Sequence, residues 1–529
     1  MDINSLIIIF VIACIVAVLA KFIKWPYTIT LVIAGIIVAA LGIQAPFKLD
    51  RDILFQILLP PLLFEGALYM RMDHLKQNSK VILLLIIPGL MFAVIFTGIF
   101  LNLLFPAIPL IFTLLLAAII IPTDPAAILA FYREMRIPKN LKSIIEGESV
   151  FDDGLAIVLF NVMIGVILAS TMTSGGNMIV SANDVLAGVG EFFKLSILGI
   201  LLGLAGGYTA VQIMKKIDDK FIEIMITVIL AFGIFAVAEL IGASGVFAVV
   251  IAGLVLGNYS TRFAMAPSTR MSLINFWSFL AFGVNSLLFI LIGMNVGIEA
   301  IIDNIWIIIA TVLLLWIARA VSIGTIGLAV NRKKAELPRN GQIMMWWGGL
   351  RGAIPIVMAL SIPMFLADGT TPFPHRELIL TITFGVVLTT LLVQGLSLRS
   401  VLKRLGFSQS SHKGGIDEKA VMVFMRDSSD ILLTLKEDGD FMSGGYQMLS
   451  SRFAQANSML LTEMGTLMKE NGFVPKEEYL AAVKESLKMK RNAVKDALHK
   501  KMIIDEAAEK LIDEIDGQIQ SLSTDHDGS

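Results

Sequence analysis

Acidic residues inside long apolar stretches are the feature that most limits what this chain can fold into. The stretches are about as long as a membrane-spanning helix, and a bilayer accepts only helices or closed barrels, which satisfy their own backbone polar groups. Five carboxylates nevertheless lie within them: Glu65, Asp124, Glu148, Asp152 and Asp153. One acidic side chain at a helix centre costs about 2.5–3.5 kcal/mol on insertion scales. Five of them predict a polar site inside a helical membrane domain.

Helix-breaking residues accompany the acids in two segments. Pro122 and Pro125 flank Thr123 and Asp124, and the segment 147–154 has glycine at both ends. Proline removes a backbone donor and disfavours helical geometry at the residue before it. The two prolines alone could be a structural kink, but an acid between them favours an ion site. The Thr123 hydroxyl and nearby carbonyls are hard oxygen ligands suited to Na⁺ or Li⁺, and Asp124 can neutralise the N–H groups at a half-helix end.

Composition divides the chain near Leu405. The chain is 56% hydrophobic and 16% charged, which is typical of a membrane protein. Charged residues number 36 in the last 125 positions and 49 in the 404 before them. We therefore predict a transmembrane domain over 1–404 and a cytoplasmic, mostly helical, regulatory domain over 405–529. One cysteine excludes an intramolecular disulfide and a cysteine metal cluster. Nothing in the composition suggests a nucleic-acid partner.

Hydropathy predicts an all-α polytopic protein of about thirteen transmembrane helices. The N-terminus lacks a basic region and a cleavage site, so the first apolar run reads as a retained span. The thirteen predicted spans cover roughly 4–21, 26–43, 52–70, 80–103, 108–132, 144–170, 185–214, 221–241, 244–258, 271–295, 303–330, 341–366 and 377–402.

Basic residues in the connections predict the orientation. Alternate connections carry 18 and 3 Lys or Arg residues. The positive-inside rule then places the tail in the cytoplasm and the N-terminus outside, in a multi-pass protein of the plasma membrane.

The odd span count also predicts an inverted repeat. With span seven as a linker, spans one to six and eight to thirteen form two six-helix halves of opposite orientation. Span five then corresponds to span twelve, which is interrupted at 348–352 and by Pro355. Breaks in corresponding spans point to a site between the repeats. Span seven itself carries Gly199, Gly203 and Gly207, a ridge that favours close helix packing.

The charges within the spans do not balance. Glu148 and Asp152 share a helix face, and Asp153 is rotated from them by about 100°. Arg319 and Arg351 are fixed counter-ions, so some members of the set can form inert buried pairs. Five acids facing two arginines leave at least one carboxylate that must be protonated or bind a cation. A carboxylate that takes either H⁺ or Na⁺ is the minimal exchanger. Glu65 is an accessory acid, or a helix-end residue near the interface.

Taken together, these motifs resemble those of a known family. They are Pro60-Pro61-Leu62-Leu63-Phe64-Glu65, Thr123-Asp124-Pro125, Gly147-Glu148-Ser149 through Asp153-Gly154, and Gly348-Gly349-Leu350-Arg351-Gly352-Ala353. Over about residues 5–405 the chain resembles the bacterial NhaP-type sodium/proton antiporters of the monovalent cation/proton antiporter-1 family, relatives of animal sodium/proton exchangers. The resemblance implies a homodimer of thirteen-helix subunits with crossed broken helices in the core and an elevator-like movement.

The resemblance also implies residue roles. Asp153 would bind the cation or proton, with Thr123, Ser149 and the Asp124 backbone completing a Na⁺ site. Glu148 and Arg351 would form the internal salt bridge. The family usually has Asn-Asp where this chain has Asp152-Asp153, and paired aspartates are characteristic of its electrogenic branch. Asp152 could bind a second proton, stay protonated and imitate asparagine, or pair with Arg319.

Several functions remain open from the sequence. Na⁺/H⁺ antiport leads, and K⁺/H⁺ antiport is the alternative because ligand types do not fix cavity size. An intramembrane aspartyl protease and a channel are less consistent with broken helices and locked charges. The tail, with apolar periodicity in 420–435 and 479–515, has no nucleotide-binding motif, and we expect 521–529 to be disordered. We expect no cofactor and no enzymatic activity.

Overall fold

A computed structural model describes most of the chain. The described residues are 11, 15–16, 27–40, 51, 53–124, 138–169, 171–172, 178–179, 182–217, 219–260, 267–295, 297–331, 337–366, 368–407, 441, 444–471 and 476–524. The chain divides into two compact units, the first ending at Gly406 and the second beginning, in its main part, at Phe407.

The first unit is helical, apart from one pair of two-residue strands, Thr171–Met172 and Met178–Ile179, among the residues described. Its helices are α1 Tyr27–Ala40, α2 Leu59–Tyr69, α3 Met72–Leu84, α4 Leu90–Leu104, α5 Leu110–Ile120, α6 Lys139–Ala169, α7 Ala182–Met214, α8 Lys220–Leu240, α9 Gly245–Val255, α10 Pro267–Asn295, α11 Ile298–Asp303, α12 Ile305–Asn331, α13 Arg339–Trp347, α14 Ala353–Leu360, α15 Arg376–Thr390 and α16 Leu396–Arg404. In the described segments, four π-helical turns adjoin them, at Ile53–Leu58, Leu85–Gly89, Leu256–Ser260 and Leu391–Gly395.

The lengths of these helices fit a membrane domain. In the described part of the chain, seven helices or continuous helix pairs are long and apolar enough to cross a membrane, and four shorter apolar helices accompany them. Large apolar side chains cover their outer faces, as lipid contact requires. The predicted span 4–21 falls almost wholly outside the described residues. The count of thirteen therefore stays a prediction.

The predicted interruption of span twelve is confirmed, and span five leaves helical structure where its interruption is predicted. Helix α5 ends at Ile120, and Ile121–Asp124 continue without helical structure. Pro125 lies outside the described residues. The second interruption separates α13 from α14 over the glycine-rich segment 348–352. Each break leaves backbone polar groups of a short helix end near the middle of the unit.

Close helix crossings occur at glycines on the predicted ridge. A Cβ atom on Gly203 would lie 2.6 Å from the Ala248 carbonyl oxygen and 2.8 Å from the Ile251 Cβ atom. Gly199 and Gly207 meet α9 in the same way, at Ser244 and Ala252. The packing role predicted for this ridge is confirmed, and its partner is α9.

Two further crossings fit the inverted repeat. The sequence Val-Ile-Ala-Gly occurs at both 32–35 and 250–253. Gly35 of α1 lies against the backbone of α10. A Cβ atom added to Gly253 of α9 would lie 3.2 Å from the Phe64 carbonyl oxygen of α2. In the predicted repeat, α1 corresponds to α9 and α10 corresponds to α2. The α1–α10 contact and the α9–α2 contact would then be equivalent.

The described residues of the second unit form three amphipathic helices: α17 Gly445–Asn471, α18 Lys476–His499 and α19 Asp505–Thr524. Apolar residues from all three form one core, including Leu449, Val483 and Leu511. Helix α19 continues to Thr524, so the prediction of disorder from residue 521 is wrong for its first four positions. The segments 420–435 and 525–529 lie outside the described residues.

Candidate functional site

The two interruptions cross and join through their backbones. The Asp124 N–H donates a hydrogen bond to the Leu350 carbonyl oxygen at 2.8 Å, as in an isolated antiparallel bridge. Extended backbone is tolerated at membrane depth only where it is enclosed by protein or lines a cavity. The crossing is such a place, because Leu350 is 1% exposed.

Asp124 lies at the start of a half-helix. Gly352 is the N-cap residue of α14, and a Cβ atom added to it would lie 2.6 Å from Asp124 Oδ2. The N-terminus of a helix carries a partial positive charge, which a carboxylate stabilises. Asp124 is therefore placed to neutralise the N-terminal end of α14, which belongs to the facing broken helix. Glycine at 352 is needed because any larger residue would displace that carboxylate.

Arg319 lies at the opposite half-helix end. Its Nε donates to the Met345 carbonyl oxygen in the last turn of α13 at 3.1 Å, and its side chain fills the space above Gly349. A cation at a helix C-terminus is stabilised by the partial negative charge there. At the break, the cationic Arg319 thus lies at the negative C-terminal end of α13. The Asp124 carboxylate lies at the positive N-terminal end of α14. Sequence reasoning missed this cap, because only the fold brings α12 to the break.

Helix α6 presents acids on two adjacent rows. In the first row, Ser149 and Asp153 are four residues apart and share a face. The Ser149 hydroxyl donates to the Thr123 carbonyl oxygen at 2.5 Å, which holds α6 against the first break. Asp153 lies within electrostatic reach of Asp124. The structure thus brings together the four predicted ligand residues Thr123, Asp124, Ser149 and Asp153.

The second row of α6 faces the arginines. Glu148 Oε1 lies 3.1 Å from Arg319 Nη2, with side chains 5% and 13% exposed. The ion pair predicted between Glu148 and Arg351 is thus formed with Arg319 instead, in the described part of the chain. The reason is geometric: Arg319 reaches over Gly349 toward α6, whereas Arg351 lies in the break itself.

Arg351 and Asp152 complete a cluster of two acids and two arginines. Arg351 is 3% exposed and within electrostatic reach of Arg319, Asp152 and Glu148. All four side chains line a cavity of 20 Å³, about the room that one water needs. Asp152 Oδ1 and Arg351 Nε are buried here with no hydrogen-bond partner among the described residues.

Glu65 joins the same group of acids from α2. Its carboxyl group lies close to Ser278 of α10 and within electrostatic reach of Asp124. All five acids singled out from the sequence therefore belong to one connected set. Nothing in the sequence distinguishes Ser278, since a lone serine in a span is common.

The oxygen set at the crossing suits a hard monovalent cation. It combines a carbonyl, a hydroxyl and carboxylates, which are ligands of hard cations. Among the described residues, no cluster of three His, Cys, Asp or Glu side chains has the arrangement of a tightly held metal site. The cation considered for this site is a transported substrate.

Comparison with known proteins identifies the family. Residues 7–404 match the family described as "Sodium/hydrogen exchanger, transmembrane". The Na(+)/H(+) antiporter ApNhaP of Aphanothece halophytica is 38% identical over 382 residues, covering 72% of this chain and 70% of that protein. The chain belongs to the sodium/hydrogen exchanger family. The protein is therefore a multi-pass membrane transporter and not an enzyme, which removes the aspartyl protease alternative.

Two other similarities extend the comparison. The Na(+)/H(+) antiporter NhaG of Bacillus atrophaeus is 31% identical over 528 residues, covering 96% of this chain and 95% of that protein, so it aligns with the tail as well. The solved structure of the sodium proton antiporter MjNhaP1 from Methanocaldococcus jannaschii at pH 8 matches with a TM-score of 0.62 at 21% identity. That match covers 76% of this chain and 98% of the other, and it supports the NhaP-type fold.

Proposed function

We propose that this chain is a secondary antiporter that exports cytoplasmic Na⁺ or Li⁺ in exchange for external H⁺. The observation that carries the proposal is the Ser149–Thr123 contact at the helix crossing. It aligns one hydroxyl and one carbonyl with the row of α6 that contains Asp153. A carboxylate among such ligands can hold a cation or a proton, and competition between the two couples their movements.

Each residue at the crossing has a role in this proposal. Asp153 binds Na⁺ or H⁺, and Thr123, Ser149 and Asp124 complete the site. Glu148, Arg319 and Arg351 hold α6 against the second break, so the two interrupted helices and α6 move together. This unit exposes the site alternately to the two sides of the membrane. Glu65 serves as an accessory acid.

The remaining features belong to the same proposal. The protein acts as a homodimer in the plasma membrane, with its N-terminus outside and its tail in the cytoplasm, and needs no cofactor. The relatives ApNhaP and NhaG are named as Na(+)/H(+) antiporters, which supports the choice of substrate.

Asp153 provides the direct test. In inverted vesicles with an acidified interior, adding Na⁺ or Li⁺ should release protons, reported by a pH-sensitive dye. Asp153→Asn should abolish this response, and Asp153→Glu should retain part of it. Glu191→Gln is the matched control, because Glu191 is an exposed acid on α7 whose ion pair among the described residues is with Lys194.

Each outcome of the proton-release assay leads to a definite conclusion about the function. If no cation evokes proton release from pH 6 to pH 9, the antiporter proposal fails. If only K⁺ does, the substrate assignment changes to K⁺/H⁺ exchange. Running the assay with and without a clamped membrane potential tests whether Asp152 adds a second proton, since only an electrogenic exchange responds to the clamp.

A further inference from the structure

The turn between α7 and α8 concentrates positive charge. Lys215, Lys216 and Lys220 lie within six positions, and all three are exposed. None of them pairs with a carboxylate among the described residues. The Asp219 carboxylate is turned to α8 instead, where it accepts hydrogen bonds from two N–H groups of the first turn at 2.9 Å. We call the segment 215–220 the lysine turn, and its ammonium groups are available to an anion.

An open groove of 290 Å³ adjoins the lysine turn. It is lined by Thr209, Gln212, Ile213, Lys216 and Ile217, from the end of α7 and the start of the turn. The Lys216 ammonium and the Gln212 amide can donate hydrogen bonds to an anion. The two isoleucines supply an apolar wall. The groove therefore suits a ligand that has an anionic group joined to an apolar part.

The polarity of the side chains changes in order along one face of α7. Leu201, Leu204, Tyr208 and Gln212 recur at helical spacing, and Lys216 follows one turn later. The first three side chains are 56%, 46% and 63% exposed. The face thus passes from aliphatic groups through a phenol and an amide to an ammonium group. At 1.5 Å per residue it is about 22 Å long, which is about the thickness of one leaflet with its headgroups.

We propose that this face of α7 and the lysine turn bind one anionic phospholipid of the cytoplasmic leaflet. The charge rule assigns the lysine turn to the cytoplasmic side, where anionic headgroups attract basic segments. The lipid phosphate lies in the groove at Lys216 and Gln212, and an acyl chain follows Leu204 and Leu201 toward the bilayer centre. An anionic headgroup is preferred to a zwitterionic one, because the latter brings its own cation to a turn that is already positive.

The bland alternative is a general attraction between basic residues and an anionic leaflet, with no particular lipid position. Helix α3 offers a matched control for it, because Lys76 and Lys80 are exposed, lie one turn apart and belong to the same predicted side of the membrane. Removing two charges there changes the net charge of that side by the same amount. A specific site makes the two pairs of lysines unequal, whereas general attraction makes them equal.

Native mass spectrometry of the full-length protein in detergent measures lipid retention. Titration with phosphatidylglycerol should show one lipid bound per chain, in preference to phosphatidylcholine. Lys215→Gln combined with Lys216→Gln should weaken phosphatidylglycerol binding by about thirtyfold, since one lysine near an anionic lipid surface is worth about fivefold. Lys76→Gln combined with Lys80→Gln should stay within about twofold of the unaltered protein, because separated exposed charges are screened. Thr209→Phe keeps every charge but fills the groove, so it should weaken binding as well.

The outcomes separate a specific lipid site from the other possible occupants of this face. Equal retention of the two lipids, or equal losses in the two lysine double variants, would overturn the inference. Undiminished binding by Thr209→Phe would also overturn it, since the lipid would then not occupy the groove. If the substitutions at Lys215 and Lys216 lower the dimer content and leave lipid retention unchanged, a second copy covers this face and the inference fails. Lipid retention is measured without transport, so its outcome is independent of the proposed antiport.

Discussion

At the scale of single residues, Arg319 joins three parts of the site. Its guanidinium pairs with Glu148, donates to the Met345 carbonyl oxygen and packs above Gly349. The sequence could identify both arginines as counter-ions but could not choose between them. The choice depends on how far each side chain reaches across the break, which is a property of the packed helices.

Glu148→Gln should destabilise the folded membrane domain strongly. The change leaves the buried Arg319 without its carboxylate, a loss that costs about 3–5 kcal/mol when one partner of a buried pair is removed. Thermal unfolding of the purified protein in detergent measures it. Glu146→Gln on the same helix is the control, because Glu146 pairs with the exposed Lys142 at 3.5 Å, and such pairs contribute about 0–1 kcal/mol.

A double substitution that removes both members of the buried pair tests the same ion pair more directly. Glu148→Gln combined with Arg319→Gln should cost less than the sum of the two single changes, because neither charge is then left alone. Equal losses for Glu148→Gln and Glu146→Gln would contradict the buried ion pair.

At the scale of elements, spacing predicted which residues act together, and packing decided what they touch. The rows Glu148/Asp152 and Ser149/Asp153 follow from the helical period alone. The glycine ridge of α7 was equally visible, although its partner α9 was not. The π-helical turn Leu85–Gly89 could not be predicted, since Pro88 in a span is compatible with either a kink or an added residue.

Gly203→Ala should loosen the α7–α9 crossing. The added methyl group would lie 2.6 Å from the Ala248 carbonyl oxygen, and overpacking of this kind costs about 1–3 kcal/mol. Gly190→Ala on the same helix meets nothing within 4 Å and should instead stabilise the helix by about 0.5–1 kcal/mol. Unfolding temperatures in detergent should therefore move in opposite directions, and a parallel shift would argue against the crossing.

At the scale of the whole molecule, the change in charge density and the end of the first compact unit are adjacent, at Leu405 and Gly406. Composition is sufficient to indicate such a boundary because lipid and water select different residues. It could not reveal Lys490, a lysine buried completely within the second unit with its ammonium 5.5 Å from the Phe453 ring centre.

Lys490→Met should stabilise the second unit in a pH-dependent way. Burial lowers the pKa of the Lys490 ammonium from 10.5 to about 8. Between these values the unfolded chain holds a proton that the folded unit has lost, so stability rises as the pH increases from about 8 to 10.5. Methionine removes this cost, so the gain should be about 2–4 kcal/mol at pH 7 and near zero above the unfolded pKa.

Hydrogen exchange of α17–α19 in the full-length protein measures the gain. Corrected protection should increase more for Lys490→Met at pH 7 than at pH 10. Lys488→Met, at a side chain 57% exposed, should change protection little at either pH. Equal effects of the two substitutions would contradict the burial of Lys490.

The hydrogen bond that joins the two broken helices is made by main-chain atoms. The hydrogen bond from Asp124 to Leu350 uses an amide and a carbonyl that nearly every amino acid supplies. Substituting the side chain at position 124 does not remove this hydrogen bond, except when the new residue is proline, which has no N–H group to donate. Sequences that diverge around the crossing can therefore retain this main-chain hydrogen bond.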